Sequence, residues 1–425
     1  MSLRLPRRDF LRRVGLAAPA LVGAQAAAAP APSDRIALGI IGLGSMGLRH
    51  VKGFLQDTDC RIVAVCDVDA ARRRLAANVV GKHYADRGPA QHRDFRRLLD
   101  SQHVDAVVIA VPDHWHAILG IRALRAGKDV YGEKPLALTI AEGRDMVREV
   151  RRTARVWQMG SWQRSTRRFR MACELVRNGR IGKLQRVEVG IGIGPTCPPQ
   201  PPMPVPEGLD YEMWLGPAPW APYTEKRCHW NFRWILDYSG GQVTDWGAHH
   251  VDIAHWGMGA DGTGPVAVEG EGTFPDGLWD AATTYRFRCR YPSGAVMEVA
   301  SNNFLTQGVR FIGEGGWVHV TRSRLAASST DILRQRIGPH EIRLASPHEG
   351  HRQGHRRNFL HCVRTRQEPV TPIEVGHRSL IPAHLGNIAM RLGRRLRWDP
   401  EAERVLDDPE ARRLLARPMR EPWTY

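Results

Sequence analysis

Residues 36–47 read IALGIIGLGSMG. The first six are apolar and fit a short strand buried on both faces, as the strands of a parallel sheet are. Gly42, Gly44 and Gly47 follow at G-x-G-x-x-G spacing, with Ser45 and Met46 inside the motif. Residues 48–56 then read as a helix. Strand, glycine turn and helix are the context in which this spacing holds a dinucleotide. Gly42 permits the tight turn, Gly44 lets the backbone approach a pyrophosphate, Gly47 lets the helix pack on the strand, and the pyrophosphate rests on the N–H groups at the helix start. A second apolar run, 61–66, ends in Asp67, twenty residues past Gly47. A carboxylate there reaches the adenosine ribose hydroxyls and repels a 2′-phosphate, so the pattern favours NAD, with NADP less favoured. Asp69 is better placed than Asp67 to cap the helix expected over 70–79.

Strand and helix signals alternate beyond this unit. Apolar strands are expected at 104–111, 129–131 and 156–160, with helices from the PDHWHA segment to about 126 and over 140–152. This alternation predicts a doubly wound parallel sheet with ligands at the carboxyl ends of its strands. Two segments begin at such ends: Pro112-Asp113-His114-Trp115-His116-Ala117, and Gly132-Glu133-Lys134-Pro135-Leu136.

The chain of 425 residues has room for two domains, and its hydrophobic fraction of 42% is that of a globular protein. The net charge of +17 is spread over scattered arginines without a basic block, so no nucleic-acid partner is expected. Seven cysteines occur, with no C-x-x-C pair. The spacing of a zinc knuckle or a thioredoxin-like site is therefore missing, and the odd number leaves at least one thiol without an intrachain partner. Residues 1–33 carry Arg7-Arg8-Asp9-Phe10-Leu11-Arg12, a modest apolar run at 14–22 and the small-residue stretch Ala24-Gln25-Ala26. This looks like a twin-arginine (Tat) signal followed by a short linker, which implies export to the periplasm by the Tat machinery. The apolar run is too short to span a bilayer, so no stable membrane span is expected.

Taken together, GLGSMG, Asp67, PDHWHA, EKP, the Gln158-Met159-Gly160-Ser161 stretch and GGQVTDWGAHHVDIAHW at 240–256 resemble the Gfo/Idh/MocA oxidoreductases, relatives of glucose–fructose oxidoreductase and inositol dehydrogenase. The resemblance covers nearly the whole chain after the leader. It implies an α/β protein: an N-terminal Rossmann domain at 34–160, then a C-terminal α/β domain at 161–425 with an open, largely antiparallel sheet. An open sheet face needs covering, which points to a homo-oligomer, dimer or tetramer. The resemblance also places Lys134 against the nicotinamide ribose and the reacting hydroxyl. It sets the segment with Pro112, His114 and His116 along the nicotinamide side of the cleft and adds Glu133 to the cofactor contacts. For either histidine, helix capping and packing is the competing role.

The helix expected after Gly240-Gly241 carries Asp245, His249 and Asp252, whose spacings of four and three put them on one face. Asp245 and His249 match the family's catalytic pair. An ammonium at Lys134 would steady a developing alkoxide. His249, with an unshifted pKa, would take the hydroxyl proton as hydride leaves the same carbon, and Asp245 would orient the ring or bind a neighbouring hydroxyl. Asp252 reads as a structural partner. A metal set of Asp245, His249 and His250 or His255 is disfavoured, because hydride transfer needs no metal and His250 points off the shared face. On the substrate side stand Gln163, Arg164 and Arg168, then Arg233, Asp237 and Tyr238, with Trp230 and Trp234 as stacking surfaces or core.

A proline-rich arm at 194–222 suits neither helix nor central strand and, with Trp214 and Trp220 in it, reads as an ordered arm at the cleft or a subunit interface. Further strands are expected at 184–193, 281–291, 295–302 and 309–313, helices at 356–366 and 376–392, and little pattern over 322–350. The end of the chain, 397–423, is expected to wrap back over the body. The leading expectation is an exported NAD-dependent oxidoreductase acting on a sugar or cyclitol C–H(OH), with tightly held cofactor because the periplasm supplies none. The runner-up is an NAD-retaining glycoside-cleaving enzyme that oxidises, eliminates and re-reduces. A third reading is a non-enzymatic carbohydrate-binding relic of the fold.

Overall fold

In the computed structural model, which describes residues 34–344 and 348–425, the 36–41 run is a strand paired on both sides. β1 (Ile36–Ile41) is followed by β2 (Cys60–Cys66), β3 (Ala90–His92), β4 (Ala106–Ile109), β5 (Asp129–Gly132) and β6 (Trp157–Met159). These six form one parallel sheet in the order β3-β2-β1-β4-β5-β6. Chain direction across the sheet reverses at β1, so a crevice opens beyond the carboxyl ends of β1 and β4. The connecting helices are α1 (Ser45–Phe54), α2 (Ala70–Tyr84), α3 (Phe95–Leu99), α4 (His116–Arg125) and α5 (Ile140–Thr153). α1 begins at Ser45 rather than at 48, because the glycine turn runs directly into the first helical turn. Asp69 caps α2 by accepting from the N–H groups of Ala71 and Arg72, which leaves Asp67 for other work.

The second half is built on a nine-stranded mixed sheet. Its strands are β7 (Leu184–Ile191), β8 (Ala267–Thr273), β9 (Thr284–Arg290), β10 (Val296–Ser301), β11 (Gly308–Gly313), β12 (Gly316–Val320), β13 (Leu325–Ala327), β14 (Leu396–Asp399) and β15 (Arg404–Leu406). They run β13-β12-β11-β7-β10-β9-β8-β14-β15, antiparallel except where β7 lies parallel to β10. The expected strands at 184–193, 281–291, 295–302 and 309–313 all appear, the first three shortened by one to three residues at an end and the last begun one residue earlier, at Gly308. β8, β12, β14 and β15 were not legible beforehand. β8 reads AVEGEGT, too polar and glycine-rich to look like a strand alone, and is fixed by pairing with β9.

The remaining α-helices are α6 (Arg167–Arg177), α7 (Tyr211–Leu215), α8 (Gly241–Asp245), α9 (Gly247–Met258), α10 (Thr330–Arg334), α11 (His351–Thr365), α12 (Ile373–Leu392) and α13 (Pro409–Arg413). Phe359, Leu360 and Cys362 of α11 pack into the core behind β1 and β2, and α12 packs on α5, α9 and β8. The tail also folds back: Trp423 stacks edge-on against Trp115, ring centres 4.7 Å apart. All seven cysteines are buried and unpaired. Among the described residues no helix is long and apolar enough to cross a membrane. The twin-arginine stretch lies outside the described residues.

Candidate active site

The glycine turn is shaped as the spacing implies. Gly42 sits at φ +86°, a conformation that strains any side chain. A Cβ on Gly47 would stand 1.8 Å from the Gly42 carbonyl oxygen, so only glycine lets α1 close on β1. Gly44 is different: a Cβ there would meet only the tip of Arg72, at 3.1 Å, and the residue lines an open cleft. No side chain caps α1, so its first N–H groups are free for an anion. Asp67 lines the same cleft. Its carboxylate accepts from the Leu43 N–H at 2.6 Å and the Asp69 N–H at 2.9 Å. Burial pushes its carboxyl up from the ordinary range, and those two N–H groups pull against that rise. Open glycine backbone, an uncapped helix start and a positioned carboxylate fit a dinucleotide.

The cleft continues past Pro112 to Glu133, Lys134, Arg233 and Asp245. The Lys134 ammonium donates to the Asp245 carboxylate and, at 3.2 Å, to the Asp245 backbone carbonyl. The Arg233 Nε stands 3.6 Å from the same carboxylate. Burial opposes the charge on Asp245, but Lys134 and Arg233 outweigh it and hold the carboxyl below its usual range. Glu133 is engaged by His50, 2.8 Å away. There too burial is outweighed, by the hydrogen bond and charge of His50 and by Lys134, so the carboxyl stays low.

The expected single helix through Asp245, His249 and Asp252 is broken. α8 ends at Asp245 and α9 starts at Gly247, with Trp246 between them. The Asp245 carboxylate faces Lys134, and no hydrogen bond joins it to the His249 ring. His249 is buried between Trp162 and Trp246, ring centres 5.9 and 6.2 Å away, and its Nδ1 has no partner. Its pKa is not the ordinary one. Burial first, then the charges of Lys134 and Arg322, hold it well below 6.5, so the ring is neutral at neutral pH.

Several expected contacts have other duties. Arg164 is not a substrate residue: it is sealed in an ion-pair cluster with Asp252 and Asp261, at 2.8 and 2.7 Å. Gln163 is buried beneath the site, its amide donating to the His249 carbonyl at 3.0 Å and accepting from the Arg322 Nε at 3.0 Å. It positions His249 and does not face the cleft. His114 and His116 do not line the cleft either. His114 Nε2 donates to the Trp214 carbonyl at 3.1 Å, and the His116 ring nitrogens face the carbonyls of Pro135 and Val111 at 2.6 and 3.0 Å. They pack the loop that presents Pro112 and Asp113, which do line it. Arg168 and Asp237 are exposed, while Tyr238 and Trp234 are core. Trp230 is 58% exposed and lines the cleft beside Arg233, whose guanidinium lies 4.1 Å from the ring centre. Among the described residues no three His, Cys, Asp or Glu side chains converge as a metal set would.

The proline-rich arm meets the start of α2, Ala70 N–H donating to the Gly208 carbonyl at 2.9 Å, and Met213 and Trp214 beyond it line the cleft. Sequence reasoning missed Trp162, Trp246, Arg322 and Arg352. Arg322 sits in the patternless 322–350 stretch, and Arg352 precedes the expected start of its helix.

Comparison with known proteins agrees with this architecture. A family model described as "Oxidoreductase family, NAD-binding Rossmann fold" matches residues 36–161, and one described as "Oxidoreductase family, C-terminal alpha/beta domain" matches 198–425. Among curated relatives, a "Glycosyl hydrolase family 109 protein" of Shewanella pealeana is 31% identical over 205 residues, 43% of this chain and 45% of that protein. An "Alpha-N-acetylgalactosaminidase" of Shewanella oneidensis is 29% identical over 202 residues, 42% of this chain and 44% of that protein. The chain thus spans less than half the length of the curated relatives it matches. The WlbA dehydrogenase of Bordetella pertussis, solved with NADH and UDP-GlcNAcA, shares the fold at TM-score 0.65 and 19% identity, over 86% of this chain and 99% of that one. The aldose-aldose oxidoreductase of Caulobacter crescentus does so at 0.63 and 20%, over 85% and 99%.

Proposed function

Because the chain belongs to the Gfo/Idh/MocA oxidoreductase family, with an NAD-binding Rossmann domain, we propose that it transfers hydride between a sugar or cyclitol C–H(OH) and NAD held in the cleft. The observation that carries this reading is that one cavity is lined at once by Asp67 and Gly44 and by the Lys134–Asp245 pair. Bound NAD would supply the hydride acceptor, held by Gly44, Ser45, Met46 and Asp67. Lys134 then has two tasks. Its charge keeps Asp245 ionised, and it steadies negative charge developing on the substrate oxygen. His249, neutral and with an unpartnered Nδ1, is the proposed proton acceptor. Asp245 takes a neighbouring hydroxyl, and Trp230 offers a stacking face to the sugar ring.

The test follows nicotinamide reduction over a panel of sugars and cyclitols. Lys134→Ala and His249→Ala are each expected to lower turnover by roughly 10²–10⁴-fold without emptying the cofactor site. Full turnover in both variants would take Lys134 and His249 out of the chemistry, whereas a wild type that reduces nicotinamide with no sugar, and whose biological role survives both substitutions, would leave the binding-relic alternative.

A second reading is favoured by the names of the curated relatives. Oxidation of a ring carbon makes the neighbouring C–H acidic, so an aglycone can be expelled with that proton, water can add across the double bond left behind, and the carbon can then be reduced again, with no net change in the cofactor. The mark of that route is aglycone release without accumulating NADH, together with solvent deuterium entering the adjacent carbon. In both readings the twin-arginine leader sends the chain to the periplasm with its cofactor already aboard and retained, and a dimer or tetramer covers the open sheet.

A further inference from the structure

Two arginines without a carboxylate against them stand at His249. Arg322 lies in the turn between β12 and β13, and Arg352 in the first turn of α11. Their guanidinium carbons are 4.6 and 4.7 Å from the centre of the Trp162 ring, and Arg322 is also 4.2 Å from that of Trp246. The same two tryptophans flank His249.

Two other sheltered arginines carry their own acids. Arg164 has Asp252 and Asp261, and Arg144 has Glu374 and Glu403. Among the described residues no acidic side chain is within ion-pair distance of Arg322 or Arg352. The acids whose charge reaches them are Asp245 and Glu133, which are already held by Lys134 and by His50. The Arg352 Nε is buried with no acceptor. After burial, the charge of Arg352 raises the cost of charge on Arg322, and that of Arg49 does the same for Arg352. Lys134 and Arg233 lie against the Asp245 carboxylate, and Arg322 feels the charge of that same carboxylate from farther off. The start of α11 adds to this field, since no side chain caps it.

Cations left in surplus around a candidate base are an unfilled half of an interaction. We propose that Arg322 and Arg352, seated on Trp162, form an anion subsite, and that the sugar handled here carries an oxyanion, as a sugar acid or a sugar phosphate does. A planar guanidinium fork matches either group with two parallel hydrogen bonds. The subsite would hold the charged end of the substrate while the reacting C–H(OH) lies toward Lys134 and His249. This deepens the hydride-transfer reading and rests on it for the reacting carbon, but not for the binding of the anion.

The test uses the full-length protein. Glucuronate, glucose 6-phosphate and glucose are titrated calorimetrically at low salt into the wild type, Arg352→Gln and Arg352→Lys, with bound nucleotide quantified in each and nicotinamide reduction followed in parallel. At least one anionic sugar is expected to bind about ten-fold or more tightly than glucose, to lose that advantage in Arg352→Gln and to keep part of it in Arg352→Lys, with nucleotide content unchanged. Which probe wins separates carboxylate from phosphate. Failure of both anionic probes to bind, or an advantage untouched by Arg352→Gln, overturns the proposal. Loss of nucleotide in Arg352→Gln also overturns it, by assigning the arginine to a cofactor phosphate. Arginine-dependent binding with no nicotinamide reduction by any sugar would instead leave the subsite standing and remove the hydride-transfer reading.

Discussion

The Lys134 ammonium donates to both the side-chain carboxylate and the backbone carbonyl of Asp245, a residue 111 positions later in the chain. The contact ties the end of β5 to the end of α8, and so fixes the nucleotide sheet and the second half of the chain around one cleft. It also sets charge: Asp245 stays ionised and His249 stays neutral partly because Lys134 is there.

The His249 pKa makes a kinetic prediction. A neutral base needs no deprotonation near pH 6.5, so kcat/KM should show no acid limb at that pH and should fall only toward lower pH. A pH–rate profile checks this. An acid limb near 6.5 that disappears in His249→Ala would show an unshifted histidine and contradict the geometry.

Stability should fall on mild acidification. His114 and His250 are held at about 3, and His255, His355 and His384 at about 4, each chiefly by burial. In the unfolded chain these rings bind protons from about 6.5 downward. Below that pH the unfolded state therefore holds more protons, and stability declines by up to about 1.4 kcal/mol per pH unit for each ring. Asp113 works the other way. Burial lifts its carboxyl to about 6, so the folded state gains between about 6 and 3.8 and offsets roughly one histidine. Thermal unfolding at pH 7 and pH 5 should show a clearly lower Tm at pH 5, and an unchanged or higher Tm would contradict the burial.

The two motif glycines should separate. Gly47→Ala places a methyl against the Gly42 carbonyl and should yield unfolded or severely destabilised protein. Gly44→Ala should fold, because only the Arg72 tip must give way, yet bind NAD about ten-fold or more weakly. Circular dichroism beside a nucleotide titration reads both effects.

Asp67 should set cofactor choice. Asp67→Ala removes the acceptor for ribose hydroxyls and the charge that repels a 2′-phosphate. NAD affinity should drop by about 10–100-fold, as loss of a charged hydrogen bond does, while NADP affinity rises relative to it. Equal losses for both nucleotides would assign Asp67 to holding the Leu43 turn alone.

Asp252 is a test of the corrected Arg164 assignment. Both side chains of the pair are sealed from solvent, at 2% and 1% exposure. Asp252→Ala leaves the buried Arg164 guanidinium with Asp261 as its remaining acid and should cost toward the lower end of about 3–5 kcal/mol, seen as a lower denaturant midpoint. Any folded fraction should keep its KM, because Arg164 does not meet the substrate.

How much of this was legible depended on how local each signal was. Gly42, Gly44, Gly47 and Asp67 act through backbone geometry within one βαβ unit, and their spacing carries it. Lys134 and Asp245 stood at strand and helix ends, where the family pattern marks them. Arg164 misled because its partners lie 88 and 97 residues away, and nothing near it in sequence shows that two aspartates enclose it. The break at Trp246 went unread although Gly247 follows it directly, because the four- and three-residue spacings of Asp245, His249 and Asp252 already fit one helix face. Arg322 and Arg352 become a pair only when the second sheet and α11 meet at Trp162, a relation no single segment contains.

The central claim is that this cleft holds NAD, and one measurement meets it directly. The full-length protein is expressed, purified and denatured, and the released nucleotide is identified by mass. Roughly one NAD per chain is the result expected. A chain that carries no nucleotide and takes up none when NAD is added would contradict the reading of the glycine turn, of Asp67 and of the chemistry built on them.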